Sequence, residues 1–321
     1  RRPKVKRHIN HLSRVRAMIA SHEGAQTFAR LHGTRLHGTR IGIPQALSMH
    51  GYLPLWRTFL ERLGFDVVLS GPSRTDHKET GIRIAKSDFC FPVKMALAHA
   101  RDLAGRPGTD ALFYPTVISE RKQESGLPRI SCPYVMSFPS LASGTLELAV
   151  PVIAPVVDFR LDERLVVESL GRSLAAYAPG ETAIRDAYRA GLEAQRDFLA
   201  RRWEYGQALL SKMRAEGKKG IVFIGRPYNL YDPLVNMALP ERFAGEDIEI
   251  LPYECLVDPS DWSTDVHHMY WHYGERILTM AGRIRRTRDL YPVYLPNFGC
   301  GPDSFVLTRF EEIMKGRPYL I

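Results

Sequence analysis

The sequence has few cysteines and lacks the short motifs that mark compact metal or nucleotide sites. Four cysteines occur among 321 residues, and no two of them form a CxxC pair, so the compact zinc and ferredoxin patterns are excluded. There is no GxGxxG at a strand–helix junction and no GxxxxGK[ST], so no nucleotide-binding motif is recognisable. Any metal or redox chemistry must therefore come from cysteines far apart along the chain.

Long apolar runs and a secretion leader are also missing from the sequence. No stretch is long and apolar enough to cross a bilayer, and no basic segment followed by an apolar core is present. Because four cysteines do not suggest a disulfide scaffold, we predict a cytoplasmic protein whose thiols serve metal or redox chemistry. The chain does not begin with Met, so we expect processing or a longer parent protein.

Acidic residues are almost absent from the N-terminal segment. Residues 1–40 contain ten Lys and Arg residues against one acid, Glu23, and they account for the whole net charge of +9. Such a segment is typical of a solvated tail or linker. Nucleic-acid binding is disfavoured because Phe28 is the one aromatic residue interleaved with these charges.

The rest of the sequence alternates short apolar strands with amphipathic helices. This alternation predicts an α/β fold with parallel sheets. The predicted strands are 41–43, 65–70, 111–115, 150–154, 221–224, 247–252 and 291–295. The predicted helices are 52–63, 95–103, 162–210 with a break at Pro179-Gly180, 266–284 and 305–314, with another over 1–26. We expect two Rossmann- or flavodoxin-like domains joined by a helical segment, with a cleft between them.

The predicted division of the chain follows this pattern. Residues 1–40 form a basic tail or linker, and residues 41–160 form a first α/β domain. Residues 161–215 form a helical connector, and residues 216–321 form a second α/β domain. The first domain would contain two of the cysteines, and the second would contain the cysteine near the C-terminus.

Three of the four cysteines are followed by a proline within two residues. The local sequences are Cys-Phe-Pro at 90–92, Cys-Pro at 132–133 and Cys-Gly-Pro at 300–302. Proline favours the first turn of a helix, so each cysteine is predicted to lie just ahead of a helix N-terminus. Free N–H groups and the helix dipole stabilise a thiolate there. We therefore predict that the three thiolates meet around one anionic iron–sulfur cluster.

Other roles for the cysteines remain open from the residues alone. A lone cysteine is usually a small core residue, and this interpretation fits Cys255 best, with a fourth ligand as the alternative. For Cys90, Cys132 and Cys300, zinc with a histidine as fourth ligand is the rival to a cluster. His99, nine residues after Cys90, is predicted to point away from the start of its helix.

Two basic residues are further candidates for the site. Arg226 lies in Gly225-Arg-Pro-Tyr-Asn229, a glycine turn after a strand that suits an anionic group, although a plain strand-end turn fits equally well. Lys94, four residues after Cys90, is either a counter-charge for the cluster or a solvated helix residue. We interpret the remaining histidine groups as linker or packing residues; they are His32, His37, His267, His268 and His272.

A set of longer segments resembles the acyl-CoA dehydratase activase-related proteins, from about residue 40 to the C-terminus. The segments are Ile41-Gly-Ile-Pro-Gln-Ala-Leu47, Trp56-Arg-Thr-Phe-Leu60, Leu63-Gly-Phe-Asp-Val-Val-Leu-Ser70, Ser87-Asp-Phe-Cys-Phe-Pro-Val-Lys94, Gly225-Arg-Pro-Tyr-Asn229 and Pro296-Asn-Phe-Gly-Cys-Gly-Pro-Asp-Ser-Phe305. Those proteins join actin-like ATPase activase domains to a cysteine-bearing module. That module is similar to the cluster-carrying subunits of 2-hydroxyacyl-CoA dehydratases and benzoyl-CoA reductases.

The resemblance implies that Cys90, Cys132 and Cys300 bind a [4Fe-4S] cluster in the cleft, with a double-cubane cluster as an open alternative. It implies a component that accepts low-potential electrons from a separate ATP-dependent activase and passes them to an acyl-CoA substrate or a partner. Whether the chain is itself an enzyme is left open. The alternative is a non-catalytic assembly module with a structural metal or cluster. No membrane partner is expected, and a homodimer is an open arrangement.

Overall fold

The computed structural model describes residues 11–21, 38–119, 129–243, 247–259 and 269–321. Helices and parallel strands alternate through these residues, which confirms the predicted α/β class. The helices are α1 (His11–Ser21), α2 (Met49–Leu63), α3 (Thr75–Ile84), α4 (Phe91–Ala104), α5 (Pro133–Thr145), α6 (Glu163–Ser173), α7 (Glu181–Ala215), α8 (Pro227–Tyr231), α9 (Leu239–Phe243), α10 (His272–Arg285) and α11 (Gly301–Met314). Short 3₁₀ helices cover Ala175–Tyr177 and Tyr253–Leu256.

The strands form three parallel sheets. They are β1 (Arg40–Ile43), β2 (Asp66–Leu69), β3 (Ala111–Phe113), β4 (Thr116–Ser119), β5 (Val152–Ile153), β6 (Val156–Asp158), β7 (Lys219–Gly225), β8 (Ile248–Pro252) and β9 (Leu290–Leu295). The first sheet has the order β2-β1-β3-β5, and its 2-1-3 beginning is that of flavodoxin-like sheets. A two-stranded ladder pairs β4 with β6, and a third sheet has the order β8-β7-β9.

Strands β3 and β5 lie within the predicted strands 111–115 and 150–154, and each is followed by a short strand that was not predicted, β4 and β6. The pairing of β3 with β5 continues in the same register as the pairing of β4 with β6. Pro115 and Pro155 lie at the junctions of these strands. Proline has no N–H group to donate, so the ladder is interrupted there and resumes beyond.

The third sheet lies in the C-terminal half of the chain. Strand β7 is its centre, and Val222, Phe223 and Ile224 are fully buried. Its neighbours β8 and β9 both run parallel to it, and Gly225 at the end of β7 pairs with Leu295 at the end of β9. The segments that follow these two strands therefore start side by side, at the edge where parallel sheets form their sites.

A 35-residue helix, α7, packs against both parts of the chain. Gly180 precedes its first residue, which confirms the predicted break in the connector. A Cβ atom on Gly191 would lie 2.6 Å from the carbonyl oxygen of Leu55, and one on Gly206 would lie 1.9 Å from that of Cys255. The two glycines therefore let α7 approach α2 and the Tyr253–Leu256 turn closely.

The basic N-terminal segment is partly built into the core. Helix α1 was predicted as part of a longer helix, and its buried side chains include Leu12, Val15 and Ile19. The His11 imidazole contacts the Glu249 carboxylate at 3.0 Å. The prediction of a solvated tail therefore does not hold for residues 11–21, while residues 1–10 and 22–37 lie outside the described residues. The other domain boundaries stay predictions.

Several element boundaries differ from the sequence prediction. Helix α3 was not predicted, because its sequence TDHKETGIRI is mostly polar and has no clear apolar stripe. Helix α11 begins at Gly301, four residues before the predicted start. None of the helices in the described ranges combines the length and the apolar content that a membrane crossing needs.

Candidate functional site

Three cysteines occupy the same position at the start of three different helices. Cys90 is the N-cap residue of α4, Cys132 that of α5 and Cys300 that of α11. Each helix has a proline in its first two positions, as the Cys-Pro spacing predicted. The first backbone N–H groups of a helix have no intrahelical partner and carry the positive end of the dipole, so each cysteine lies beside a helix end that can interact with an anion.

Ring contacts join the three cysteine turns. Phe89, next to Cys90, makes an edge contact with Tyr134 in the first turn of α5, at 5.5 Å between ring centroids. Phe305 in α11 makes a similar contact with Trp271 at 6.0 Å. Trp271 in turn pairs with Ile130, just before Cys132. The chain therefore brings the three turns next to one another although they are far apart in sequence.

The thiols are close enough to affect one another's ionisation. Burial is the largest cause that raises the pKa of Cys90, and the charges of Cys300 and Cys132 add to it, giving a value of about 11. Burial also raises the pKa of Cys300, and the Cys132 charge contributes. Cys90 and Cys132 are partly exposed and Cys300 is 8 % exposed, so solvent reaches part of this group.

Arg226 is a buried cation beside the thiols. It follows β7, is 4 % exposed, and its Nη1 lies 2.5 Å from Oδ2 of Asp303. Burial alone lowers the pKa of Arg226, but Tyr228, Asp303 and the thiolates of Cys300 and Cys132 raise it well above its usual value. The guanidinium is thus permanently charged, and it lowers the pKa of the neighbouring thiols.

Asp303 fixes the loop that carries Cys300. Besides Arg226, its carboxylate accepts hydrogen bonds from the hydroxyl of Tyr294 at 3.0 Å and from the backbone N–H of Asn297 at 2.8 Å. Asp303 does not cap α11, because the N-cap position belongs to Cys300. Asp303 is instead a buried partner of Arg226, which the strand pairing of β7 with β9 brings beside it.

The segments after β7 and β9 are also joined by amide contacts. The Asn229 side-chain amide donates to the carbonyl oxygen of Leu295 at 2.8 Å, and the Asn297 amide donates to the Asn229 oxygen at 3.2 Å. Together with the Arg226–Asp303 pair, these contacts join the Gly225-Arg-Pro-Tyr-Asn229 turn to the Cys300 loop. Two motifs that resembled the same family are therefore parts of one site.

A short segment before Cys132 attaches it to the C-terminal half. Ile130 forms bridges with Ser119 on one side and with Trp271 on the other. Arg129 and Glu275 form a buried ion pair with 2.5 Å between Nε and Oε2. Because both side chains are about 5 % exposed or less, this pair holds the segment firmly against α10.

Two other predicted candidates, Lys94 and His99, have polar partners of their own. Lys94 pairs with the exposed Asp88 at 3.3 Å, so it has a surface partner of its own. His99 is fully buried between the hydroxyls of Ser70 and Ser73, each at 2.8 Å, and is therefore not placed to be a metal ligand.

Cys255 and the remaining histidines are separate from the thiol group. Cys255 is fully buried, and burial, the main cause, raises its pKa to about 12. The charges that act on it are those of Arg202 and Glu254, not those of the other cysteines. His272 is buried at the start of α10. Four other histidines lie outside the described residues; they are His32, His37, His267 and His268.

The arrangement of the three thiols can be compared with that of a metal-ion site and of a cluster. Among the described residues, no group of three or more His, Cys, Asp and Glu side chains is arranged to hold one metal ion. In an iron–sulfur cubane each thiolate binds a different iron atom, so the sulfurs surround the cluster and need not meet at a point. Three soft thiols, three helix N-termini and a buried guanidinium fit an anionic cluster in charge and in chemistry.

Comparison with known families agrees with the sequence resemblance. A search of curated proteins found no match. The family model described as the CoA enzyme activase uncharacterised domain matches residues 40–256, which include Cys90, Cys132 and Arg226. The match covers more than half of the chain, and it ends before the Cys300 loop. The chain therefore belongs to the CoA enzyme activase uncharacterised domain family.

Proposed function

We propose that Cys90, Cys132 and Cys300 bind one [4Fe-4S] cluster, through which the protein accepts low-potential electrons. The observation that carries this proposal is the grouping of three N-cap thiols around the Arg226 guanidinium. A bound cluster would supply a redox centre with one iron that has no protein thiolate. A double-cubane cluster on the same thiols is the alternative.

The residues around the thiols have distinct roles in this proposal. Arg226 offsets the negative charge that three thiolates and a reduced cluster would bring together. Asp303 holds Arg226 and the Cys300 loop in a fixed relation. Because the pKa values of Cys90 and Cys300 are raised, binding of iron must release protons, so the cluster should assemble more readily as pH rises from 7 to 9.

We further propose that the chain works in a system of the acyl-CoA dehydratase or reductase type, with an ATP-dependent activase as electron donor. The family description supports this setting. The surface near the thiols also suits a protein partner, because Phe298 is fully exposed, Phe305 is 57 % exposed and Tyr134 is 43 % exposed. Exposed aromatic residues are typical anchors of protein interfaces.

Anaerobic reconstitution tests the cluster directly. The protein is incubated with ferrous iron and sulfide, desalted, and analysed for iron, acid-labile sulfide and the electron paramagnetic resonance of the reduced form. We expect about four irons per chain, the content of the proposed cubane. Replacing Cys90, Cys132 or Cys300 by serine should lower the iron content, whereas Cys255→Ala should not.

A different result would overturn the proposal. It would be wrong if the wild-type protein bound no iron with all thiols reduced, or if Cys255→Ala lost as much iron as Cys300→Ser. The second candidate, a non-catalytic assembly module, is favoured by the exposed Phe298 beside the Cys300 loop. That function predicts a bound metal or cluster whose removal unfolds the protein and which gives no reduced signal at low potential.

A further inference from the structure

Helix α1 contacts elements from both parts of the chain. It packs against α2, which connects β1 with β2 of the first sheet, and against α8 and β8, which belong with the third sheet. It also contacts α7, which packs against both parts. The family match begins at residue 40, so α1 lies outside the matched domain. A helix that lies outside this domain and yet bridges its two parts has the placement of a strap.

An apolar side and two polar anchors hold α1 in place. Its buried apolar side chains include Leu12, Val15 and Ile19. Near its end, Nη1 of Arg57 in α2 donates to the carbonyl oxygen of Ala20 at 2.8 Å. At its first residue, Nε2 of His11 lies 3.0 Å from Oε2 of Glu249 in β8, and Nδ1 contacts the hydroxyl of Tyr205 in α7. The two ends of α1 are therefore attached to different sheets.

A crevice of about 150 Å³ lies beneath α1. One of its walls is α1 itself, between Ser13 and Ala20. The opposite wall comes from the segments that follow β1, β2 and α8, and it includes Gln45, Gly71 and Asp232. Because protein interiors are normally close-packed, this space shows that α1 covers the ends of β1 and β2 without filling the gap between them.

His11 is the anchor whose hydrogen bonds depend on its protonation state. The side chain is 5 % exposed, and in its neutral form Nε2–H donates to Glu249 while Nδ1 accepts from the Tyr205 hydroxyl. Burial raises the pKa of Tyr205 to about 12, so this hydroxyl keeps its proton. A proton on Nδ1 would remove the acceptor that Tyr205 uses.

Charged groups on three elements act on His11 as well. Glu249 on β8 favours the protonated form, but its carboxylate also contacts Lys218 at 3.1 Å. Arg14 on α1 and Lys212 on α7 disfavour the protonated form. Burial is the largest cause, and the pKa of His11 in the docked helix lies below 6.5, the value of a free histidine. Below about pH 6.5 a released α1 therefore binds more protons than a docked one, so acid favours release.

We propose that α1 is a strap that closes the crevice at the ends of β1 and β2, and that proton uptake by His11 releases it from a core that stays folded. Release removes one wall of the crevice and exposes its opposite wall, with His50 and Asp232, to solvent. The proposal uses none of the residues assigned to the cluster, so it stands or falls separately from the proposed function.

Hydrogen exchange of the full, iron-free chain at pH 7.5 and 5.5, measured by mass spectrometry, tests the strap. Labelling times are scaled to the intrinsic exchange rate at each pH. The protection of the α1 amides should fall several-fold, up to about tenfold, at the lower pH. The amides of β7, in the buried core, should stay better protected than those of α1 at both values. Equal protection of α1 and β7 at both values would overturn the proposal, because α1 would then open only with the core.

Two histidine variants assign the effect of pH. Glutamine does not titrate in this range, so His11→Gln should remove most of the change in α1 protection between pH 7.5 and 5.5. His50→Gln is the matched control, because His50 is also buried and lines the crevice but belongs to α2. This control should keep most of the change. A change in His11→Gln as large as in wild type would overturn the proposal.

A third variant tests whether the strap is separable from the core. Val15 is fully buried beneath α1, so Val15→Asp should abolish the protection of the α1 amides at pH 7.5 and leave that of the β7 amides close to wild type. Val15→Ala keeps an apolar side chain at the same position and should retain most of the α1 protection. Loss of β7 protection in Val15→Asp would also overturn the proposal, because α1 would then be an integral part of the core.

Discussion

At the scale of single residues, the thiol site depends on one buried cation. Arg226 is the guanidinium that lowers the pKa of both Cys90 and Cys300, against the effect of burial. Lys94 is nearer to Cys90 in sequence, but its ammonium group contacts Asp88 on the surface. The residue that supplies the counter-charge is therefore remote from Cys90 in sequence. The difference between the effects of Arg226 and Lys94 on the thiols can be measured in the iron-free protein.

Removal of Arg226 should make Cys90 less reactive. The pKa of Cys90 is about 11, so few Cys90 side chains are thiolates at pH 9. Loss of the Arg226 guanidinium should raise the pKa of Cys90 further. We expect Arg226→Gln combined with Asp303→Asn, which avoids an unpaired buried carboxylate, to slow alkylation of Cys90 by iodoacetamide several-fold at pH 9. Peptide mass spectrometry of the iron-free protein measures the rate.

Lys94→Gln is the matched control for that experiment. It removes a cation from the helix that Cys90 begins, but one that already has a surface partner. The alkylation rate of Cys90 should stay close to wild type. If Lys94→Gln slowed the reaction as much as the double variant did, the counter-charge assigned to Arg226 would be wrong.

Buried histidines should make the protein less stable in mild acid. Burial lowers the pKa of His99 and of His272 well below 6.5, so both are neutral in the folded state. Between their folded and unfolded pKa values the unfolded chain binds more protons, so stability falls as pH decreases below about 6.5. In that range each histidine lowers the free energy of unfolding by up to about 1.4 kcal/mol for each unit by which the pH decreases.

Urea unfolding at pH 7.5, 6.5 and 5.5 measures this effect. The free energy of unfolding should change little between the first two values and drop clearly at pH 5.5. The His272→Gln variant should show a smaller drop between pH 6.5 and 5.5, whatever its stability at pH 7.5. A variant with the same pH dependence as wild type would contradict the assignment to His272.

At the scale of elements, the helix starts are what the sequence showed most clearly. Each Cys-Pro spacing indicated a helix N-terminus, because proline is favoured in the first turn, and all three helices begin there. None of the three N-cap cysteines makes a side-chain capping hydrogen bond. Ser or Asp would normally cap such ends, so the choice of cysteine costs helix stability and points to a role for the thiol.

Contacts between elements could not be predicted from the sequence in the same way. Asp303 is of a residue type that often caps helices, and only the pairing of β7 with β9 shows that it contacts Arg226. The interruption of the ladder at Pro115 and Pro155 depends on which strands are neighbours. Local propensity determines where elements begin, whereas tertiary pairing decides which side chains meet.

The close packing of α7 gives a prediction about an element. Gly206 is inside this helix, and a Cβ atom there would lie 1.9 Å from the Cys255 carbonyl oxygen and 2.7 Å from its carbon. Backbone atoms cannot move aside cheaply, so Gly206→Ala should destabilise the protein by about 1–3 kcal/mol, the usual cost of overpacking. Thermal unfolding followed by circular dichroism measures the loss.

Gly282→Ala is the matched substitution in α10. A Cβ atom there would meet only the end of the Arg286 side chain at 3.8 Å. Alanine is a better helix former than glycine by about 1 kcal/mol, so this change should be neutral or stabilising. Equal destabilisation by both substitutions would contradict this prediction, because it would show that the loss at Gly206 does not depend on the close approach of the Cys255 turn.

At the scale of the whole molecule, buried polar contacts tie the two sheet-bearing parts together. His99 lies between Ser70 and Ser73, and the Ser73 hydroxyl donates to Asp232 at 2.5 Å. His99 is neutral, so a consistent arrangement has its Nε2–H donating to Ser73. Such a network joins residues that follow β2 to residues that follow α8, and it is fully buried. The two parts should therefore unfold together rather than one after the other.

The Arg129–Glu275 pair allows that coupling to be tested. Both side chains are buried, so Arg129→Met removes a cation that contacts a buried carboxylate and should cost about 3–5 kcal/mol. Replacing both partners, as Arg129→Met with Glu275→Leu, removes the buried charges and should recover most of the loss. Urea unfolding should stay a single transition in all three proteins, since the His99 network still links the parts. A second transition in Arg129→Met would show that the His99 network alone does not link the two parts. No recovery in the double variant would contradict the assignment of the loss to a buried charge.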